Sequence, residues 1–312
     1  MPQALIKSLT GLIQLRLLED APEPWPTLSQ ALYRAPTSQT MLVDDLKLVY
    51  LPIAKNACSS LKQLVASLGG VTLEPDEDIH IKLDSNRTGL QFADRSEEEI
   101  RHALTAPGWM RFAVIRDPFD RLVSAYVEKF VLHRDEPRIE ETVGPAYRVV
   151  FGHEELTPAD MARGITFREF VEFILGQDPR DLDSHWQPQS EQLGHIAFTH
   201  LYDVRELDAL AADLQAHVGQ AIDLPWMNAS REVTDLRVFV PGACDLLPAD
   251  LVDPARIDLA SFLPDDLRGR IGQYYAMDVT LCRMVRHLTP AAVVRPEILV
   301  PGADDLLSAA QV

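Results

Sequence analysis

A segment near the start of the chain combines residue types that bind phosphate. It reads Leu51-Pro52-Ile53-Ala54-Lys55-Asn56-Ala57-Cys58-Ser59-Ser60. The small residues let the backbone approach an anion closely, the two serines add hydroxyl donors, and Lys55 supplies a positive charge. No Ser or Thr directly follows Lys55, as the GxxxxGK[ST] sequence requires for Mg²⁺. The pattern predicts a phosphate site without a metal; a solvated loop lysine is the alternative.

A second set of such residues lies further along the chain. Arg116 follows an apolar run, and Ser124 comes eight residues later. A guanidinium can bind a second phosphate through two hydrogen bonds, and a hydroxyl can join it. The alternative is a structural ion pair of Arg116 with Asp117 or Asp120, with Ser124 on a helix surface. Together the two sets predict a nucleotide that carries phosphates at two places.

The elements that must position these residues are two strand–turn–helix units. Lys47–Leu51 and Phe112–Ile115 are short apolar runs typical of buried strands. The first helix is predicted to stop at Gly69-Gly70, and the second to begin at an Asp117 N-cap followed by Pro118. Two such units predict an α/β fold with a central parallel sheet flanked by helices. Ligands of such sheets bind at the carboxyl ends of the strands, where both polar turns lie.

Further elements and boundaries follow from capping signals, periodicity and proline content. The predicted elements are a helix from the Thr166 capping box to Gly176, a strand over Ile196–Tyr202, a helix carrying Leu207 to Val218, and a helix over Asp265–Leu288. The predicted organisation is an N-terminal helix and proline-rich cap (1–39), a main domain (40–288) with an inserted arm near 232–264, and a C-terminal tail (289–312).

Composition limits the class of ligand and the compartment. The formal net charge of the 312 residues is −18, from 29 basic and 47 acidic residues, which argues against a general nucleic-acid binder. A nucleotide site must therefore be a local basic pocket. Three cysteines without a CxxC pair predict neither a disulfide framework nor a zinc site. No apolar run is long enough for a transmembrane segment, so we expect a cytoplasmic protein, with peripheral membrane association left open.

Both polar segments resemble known motifs. Lys55 to Lys62 resembles the 5′-phosphosulfate-binding loop of the carbohydrate sulfotransferases that include the chondroitin and dermatan 4-O-sulfotransferases (sulfotransferase family 2). Arg116 to Tyr126 is similar to their 3′-phosphate-binding motif nearly residue for residue. Weaker similarities to that family continue along the chain at Ile79-His80, His185-Trp186-Gln187-Pro188-Gln189, Tyr202-Asp203, Asn228-Ala229-Ser230 and Tyr274-Tyr275-Ala276-Met277-Asp278.

The resemblance implies a P-loop-like sulfotransferase fold and transfer of a sulfuryl group from 3′-phosphoadenosine 5′-phosphosulfate (PAPS). The acceptor is expected to be a hydroxyl of a carbohydrate or glycoconjugate, and the product nucleotide is PAP. The residues expected to bind the nucleotide are Lys55, Asn56, Ala57, Cys58, Ser59, Ser60, Arg116 and Ser124.

For catalysis, Lys55 is expected to stabilise the leaving phosphate. His80 is the first choice for the general base and His185 the second, with Asp84 and Glu128 as further candidates.

Two rival functions stay open on the sequence. One is a P-loop-like kinase for a small molecule, and the other is a non-catalytic module that binds PAP.

One departure from the resemblance concerns residues 191–196, which lack the paired cysteines that secretory members carry after the His-Trp motif. Those members also have a membrane anchor. The departure puts a Golgi-type acceptor such as chondroitin in doubt, and no motif predicts the acceptor's identity or the oligomeric state.

Overall fold

A mixed four-stranded sheet organises the part of the chain that the computed structural model describes, residues 37–74, 77–194, 196–224 and 237–287. The strands are β1 (Met41–Val43), β2 (Leu48–Leu51), β3 (Met110–Ile115) and β4 (His200–Asp203), in the order β1-β2-β3-β4. β1 is antiparallel to β2, whereas β2, β3 and β4 are parallel. The predicted α/β class and parallel sheet core are confirmed, with β1 as an additional antiparallel edge.

Helices connect and cover these strands. They are α1 (Cys58–Leu68), α2 (Ile79–Asn86), α3 (Glu97–Thr105), α4 (Pro118–Tyr126), α5 (Ile139–Phe151), α6 (Pro158–Arg163), α7 (Phe167–Leu175), α8 (Gln189–Leu193), α9 (Leu207–Val218), α10 (Asp265–Tyr274) and α11 (Ala276–His287). A π-helical turn, Val127–Leu132, continues α4. None of the described helices is long and apolar enough to cross a membrane.

The central strands are buried on both faces, which explains why they are continuously apolar. Tyr50 and Phe112 face α1 and α9 on one side, where their rings stack. Val49 and Ala113 face the opposite side, which α3 and α11 cover. This alternation fixes the strand register, because a shift by one residue would exchange the two faces.

A second core lies beside the sheet and consists mainly of aromatic side chains. Its members are fully or almost fully buried and include Tyr126, Phe130, Tyr147, Phe167, Phe170, Trp186 and Phe262. Residues 237–264 are short 3₁₀ turns and loops, and Ala243 and Cys244 pack into this core. Part of the predicted arm at 232–264 thus packs into this core, whereas Phe239 and Val252 are exposed, and its status as an insertion stays a prediction.

Several local predictions match the observed elements. Gly69 ends α1, Asp117 caps α4 ahead of Pro118, and Thr166 forms a capping box with Glu169. Two boundaries were wrong. The last strand begins only at His200, and the late helix is two helices, α10 and α11, separated by Tyr275. The N-terminal helix, the C-terminal tail and Asn228-Ala229-Ser230 lie outside the described residues.

Candidate active site

The first loop, between β2 and α1, bends through two left-handed residues. Lys55 has φ 70° and Ala57 has φ 57°, a conformation that is uncommon for residues with a Cβ and clusters at functional sites. Ala57 is the N-cap of α1 and offers no side-chain hydrogen bond to the first turn, unlike Asp78 at α2 and Asp117 at α4. The N–H groups and positive dipole end of α1 therefore suit an anion.

Lys55 lies among other charged groups. Its ammonium forms an ion pair with Glu128 on the π-helical turn, and its side chain is 13% exposed. Burial lowers the pKa of Lys55 to about 8, against the opposing effect of Cys58, and the positive charges of Lys129 and Arg116 lower it further. Repulsion among these cations would be relieved by a bound anion.

The two predicted phosphate loops meet. Leu51 at the end of β2 pairs with Ala113 of β3, so both loops leave the same edge of the sheet. The Arg116 guanidinium donates a hydrogen bond from Nη1 to the Lys55 carbonyl oxygen at 3.1 Å. The two loops are therefore adjacent, as the sequence interpretation requires, and the shared ligand site itself stays a prediction.

Arg116 does not form the structural ion pair that was its alternative. Among the described residues, no carboxylate lies within ion-pair distance of its guanidinium, and Asp117 instead caps α4 and pairs with Arg286. Burial lowers the pKa of Arg116, which nonetheless stays charged. Ser124 lies on the second turn of α4 and is partly exposed.

Sequence reasoning gave no role to Arg121, a buried residue of α4 that supports the first loop. It is 2% exposed and donates to the carbonyl oxygens of Ala54, Ser184 and Gln187 at 2.7–3.0 Å. Its side chain thus holds the first loop against the segment Ser184–Gln187, which contains His185. Arg121 and Arg116 belong to the same sequence motif, so the sequence could not show that one is structural and the other faces the proposed ligand. That difference depends on burial, which is set by the packing of segments remote in the sequence.

His80 lies on α2, next to the first turn of α1. Its Nε2 is 3.0 Å from Ser59 Oγ, and its Nδ1 is 3.1 Å from the ammonium of Lys62, which is 3% exposed. An ammonium can only donate, so Nδ1 accepts and Nε2 carries the proton that is donated to Ser59. In this arrangement His80 orients the serine hydroxyl, and its lone pair is already used.

His185 has a different arrangement. Its Nδ1 lies 2.6 Å from the Asp183 carboxylate, which fixes the proton on Nδ1 and the lone pair on Nε2. Burial lowers the pKa of His185, against the effect of Asp183, and the charges of Lys129 and Lys55 lower it further. A neutral ring with a lone pair on Nε2, close to Lys55, is the form that a general base requires.

A family comparison agrees with these motifs. The family model described as "Sulfotransferase family" matches residues 38–237. The chain belongs to the sulfotransferase family.

Similar proteins are named as sulfotransferases. Carbohydrate sulfotransferase 14 of Mus musculus is 29% identical over 192 residues, which are 60% of this chain and 48% of the relative. Carbohydrate sulfotransferase 11 of Danio rerio is 28% identical over 206 residues, 62% of this chain and 56% of the relative. The chain thus spans about half the length of the curated relatives it matches. No solved structure matches it.

The region matched by the sulfotransferase family model contains both loops and both histidines, whereas Asp278 lies C-terminal to it.

Within the described residues, no cluster of three or more His, Cys, Asp or Glu side chains is arranged to hold a metal ion.

Proposed function

We propose that this protein transfers a sulfuryl group from PAPS to an acceptor hydroxyl on a carbohydrate. The observation that carries the proposal is the contact between the two loops, in which Arg116 donates to the backbone of Lys55. A nucleotide with phosphates on both its 5′ and 3′ positions needs two neighbouring anion sites. Family membership supports the same reaction class and, by implication, PAPS as the donor.

The residues present fit such a donor. The 5′-phosphosulfate is assigned to the uncapped N-terminus of α1, with Ser59, Ser60 and Lys55 around it. The 3′-phosphate is assigned to Arg116 and Ser124. The protein as a whole carries a net charge of −18 and repels anions at long range. Several cations nevertheless lie together at this one edge of the sheet, which supports a local anion site there.

In the reaction, the acceptor oxygen forms a bond to sulfur while the bond from sulfur to the phosphate oxygen breaks. Negative charge develops on that leaving oxygen, and Lys55 stabilises it; such electrostatic contributions are worth about 3–4 kcal/mol. The acceptor proton goes to a base. PAP and the sulfated acceptor are the products.

For the base, the contacts favour His185 over His80. The lone pair of His80 accepts from Lys62, whereas the Asp183 hydrogen bond leaves the lone pair of His185 on Nε2. Glu128 is engaged with Lys55 and Lys129. The Asp84 side chain is outside the described part.

A carbohydrate acceptor is supported by the names of the similar proteins, which are carbohydrate sulfotransferases. The sugar and the position sulfated are not part of the proposal. The cytoplasmic location stays a prediction.

The function is tested with purified protein, PAP and PAPS. We expect PAP to bind in calorimetry without added metal, and labelled sulfate to pass from PAPS to one or more members of a panel of unsulfated oligosaccharides in EDTA. ATP hydrolysis with Mg²⁺ is the comparison for a kinase. Hydrolysis of ATP without PAP binding would overturn the proposal, and PAP binding without transfer to any acceptor would support the non-catalytic module.

The base assignment has its own test. His185→Asn should lower turnover by about 10²–10⁴-fold, the usual contribution of a general base, with PAP affinity nearly unchanged. His80→Asn should mainly weaken PAP binding, because Ser59 loses its orienting partner. The opposite pattern, with turnover lost in His80→Asn and retained in His185→Asn, would return the role to His80.

A further inference from the structure

A buried glutamine connects the two phosphate loops. The Oε1 atom of Gln189 accepts hydrogen bonds from Asn56 Nδ2 in the first loop at 2.6 Å and from the Arg116 backbone N–H at 2.9 Å. Its Nε2 atom donates to the Arg116 carbonyl oxygen at 2.8 Å. Gln189 and Asn56 are both 0% exposed. A single amide group therefore bonds to both loops, far from water.

The orientation of this amide follows from its partners. Oε1 faces two N–H donors and Nε2 faces a carbonyl oxygen, so a reversed amide would place like groups together. Asn56 is fixed in turn, because its Nδ2 also donates to the Val114 carbonyl oxygen in β3 at 2.9 Å. The first loop is thus tied both to the neighbouring strand and to Gln189.

Asp278 holds Gln189 in place. One carboxylate oxygen of Asp278 accepts from the Gln189 backbone N–H at 2.7 Å and faces its Nε2 at 3.3 Å. The other accepts from the Ser190 N–H at 2.8 Å. Asp278 is 0% exposed and lies at the start of α11, so its carboxylate fixes both the backbone and the side chain of Gln189.

We infer that Gln189 and Asp278 are positioning residues, which we call the loop clamp, that set the distance between the 5′ and 3′ phosphate sites. The inference rests on the proposed PAPS function. It gives a role to Gln189 of the His-Trp segment and to Asp278 of the Tyr274–Asp278 segment, two residues that the proposed mechanism does not otherwise use. Neither residue of the clamp touches the reacting atoms by this assignment; both act through Asn56, Arg116 and the loop backbones.

The test uses the full chain with Gln189→Met, which keeps side-chain length but removes both hydrogen-bonding atoms. Calorimetry is carried out with PAP, adenosine 5′-phosphate, adenosine 3′-phosphate and adenosine. The affinity for PAP should fall by about tenfold or more, because buried hydrogen bonds are lost at both loops. Each monophosphate should lose less affinity than PAP, because only PAP depends on the distance between the two sites, and adenosine itself should change by less than about twofold. Asp278→Asn should give the same pattern.

The matched control is Gln192→Met on the same short helix. Gln192 is 2% exposed and donates to the Ser184 and Gln187 carbonyl oxygens, so the substitution disturbs the same segment without removing a contact to either loop. Thermal unfolding of all variants reports any general loss of stability. We expect comparable loss of stability for the two methionine variants but a much smaller loss of PAP affinity for Gln192→Met.

Two different failures are distinguishable. If the wild-type protein does not bind PAP, the proposed function falls and the clamp's role falls with it. If the wild-type protein binds PAP and folded Gln189→Met binds it within about twofold, or if Gln192→Met loses as much affinity, the clamp alone is overturned.

Discussion

The two strand-to-helix loops that we propose as phosphate sites differ in the groups that they offer to an anion. In the first, Ala57 leaves the N-terminus of α1 without a side-chain cap, and the cation is Lys55, whose pKa is lowered to about 8. In the second, Asp117 caps α4, Pro118 removes an N–H group, and Arg116 supplies the charge. The first loop is therefore suited to bind through backbone N–H groups and a titrating amine, and the second through side chains that stay charged.

Among changes to the two loops themselves, the largest effect is expected from Lys55→Met. Turnover at saturating PAPS should fall by about 10²–10³-fold, because stabilisation of the leaving phosphate is lost, while PAP affinity falls much less. The measurement is transfer of labelled sulfate to the oligosaccharide panel. Lys129→Met is the control: it removes a neighbouring charge and should cost less turnover. Equal losses in both variants would mean that total charge, not the position of Lys55, matters.

A smaller effect is expected from Arg116→Lys in the second loop. A lysine keeps the charge but not the paired hydrogen bonds of a guanidinium, so PAP affinity should fall by about tenfold. Affinity for adenosine 5′-phosphate should stay within about twofold, since that ligand lacks the 3′-phosphate. Calorimetry with the two ligands checks this. Equal losses for both ligands would contradict the assignment of Arg116 to the 3′-phosphate.

The pH dependence of binding should separate the loops further. The protonated form of Lys55 binds the anion, and its fraction declines as pH rises through about 8 in the free protein. Affinity for adenosine 5′-phosphate should therefore fall between about pH 7 and pH 9, a window centred on that pKa. Affinity for adenosine 3′-phosphate, bound by an arginine that stays charged, should change little. Lys55→Met should remove the pH dependence; its persistence in that variant would assign the titration elsewhere.

The smallest expected effect concerns the two helix N-termini. Asp117→Ala removes an N-cap and one of the ion-pair partners of Arg286, so it should lower the free energy of unfolding by about 1 kcal/mol. Ala57→Gly should leave that free energy within about 0.5 kcal/mol. Glycine removes the steric cost of the left-handed backbone in the folded state but increases the conformational entropy of the unfolded chain, and the two effects oppose each other. Urea unfolding measures both. A large loss in Ala57→Gly would show that the Ala57 side chain contributes to stability.

Much of the fold was predictable because its signals are local. The apolar runs of β2 and β3, the Gly69 stop and the Asp117 cap each depend on a few neighbouring residues, and all are observed. The predicted strand over 196–202 and the single late helix were less accurate. Their ends depend on packing that a residue pattern does not contain, such as the Tyr275 hydroxyl, which donates to the Trp186 carbonyl oxygen.

The sequence alone determined which two loops we propose as phosphate sites, since that proposal needs only residue type and position after a strand. Only the tertiary structure decided how they work together. Gln189 bonds to Asn56, 133 residues away, and to Arg116, 73 residues away, and Asp278 is 89 residues from Gln189. The roles proposed for His80 and His185 likewise rest on hydrogen bonds to their ring nitrogens. Such contacts depend on how the chain packs, and residue spacing along the sequence does not report them.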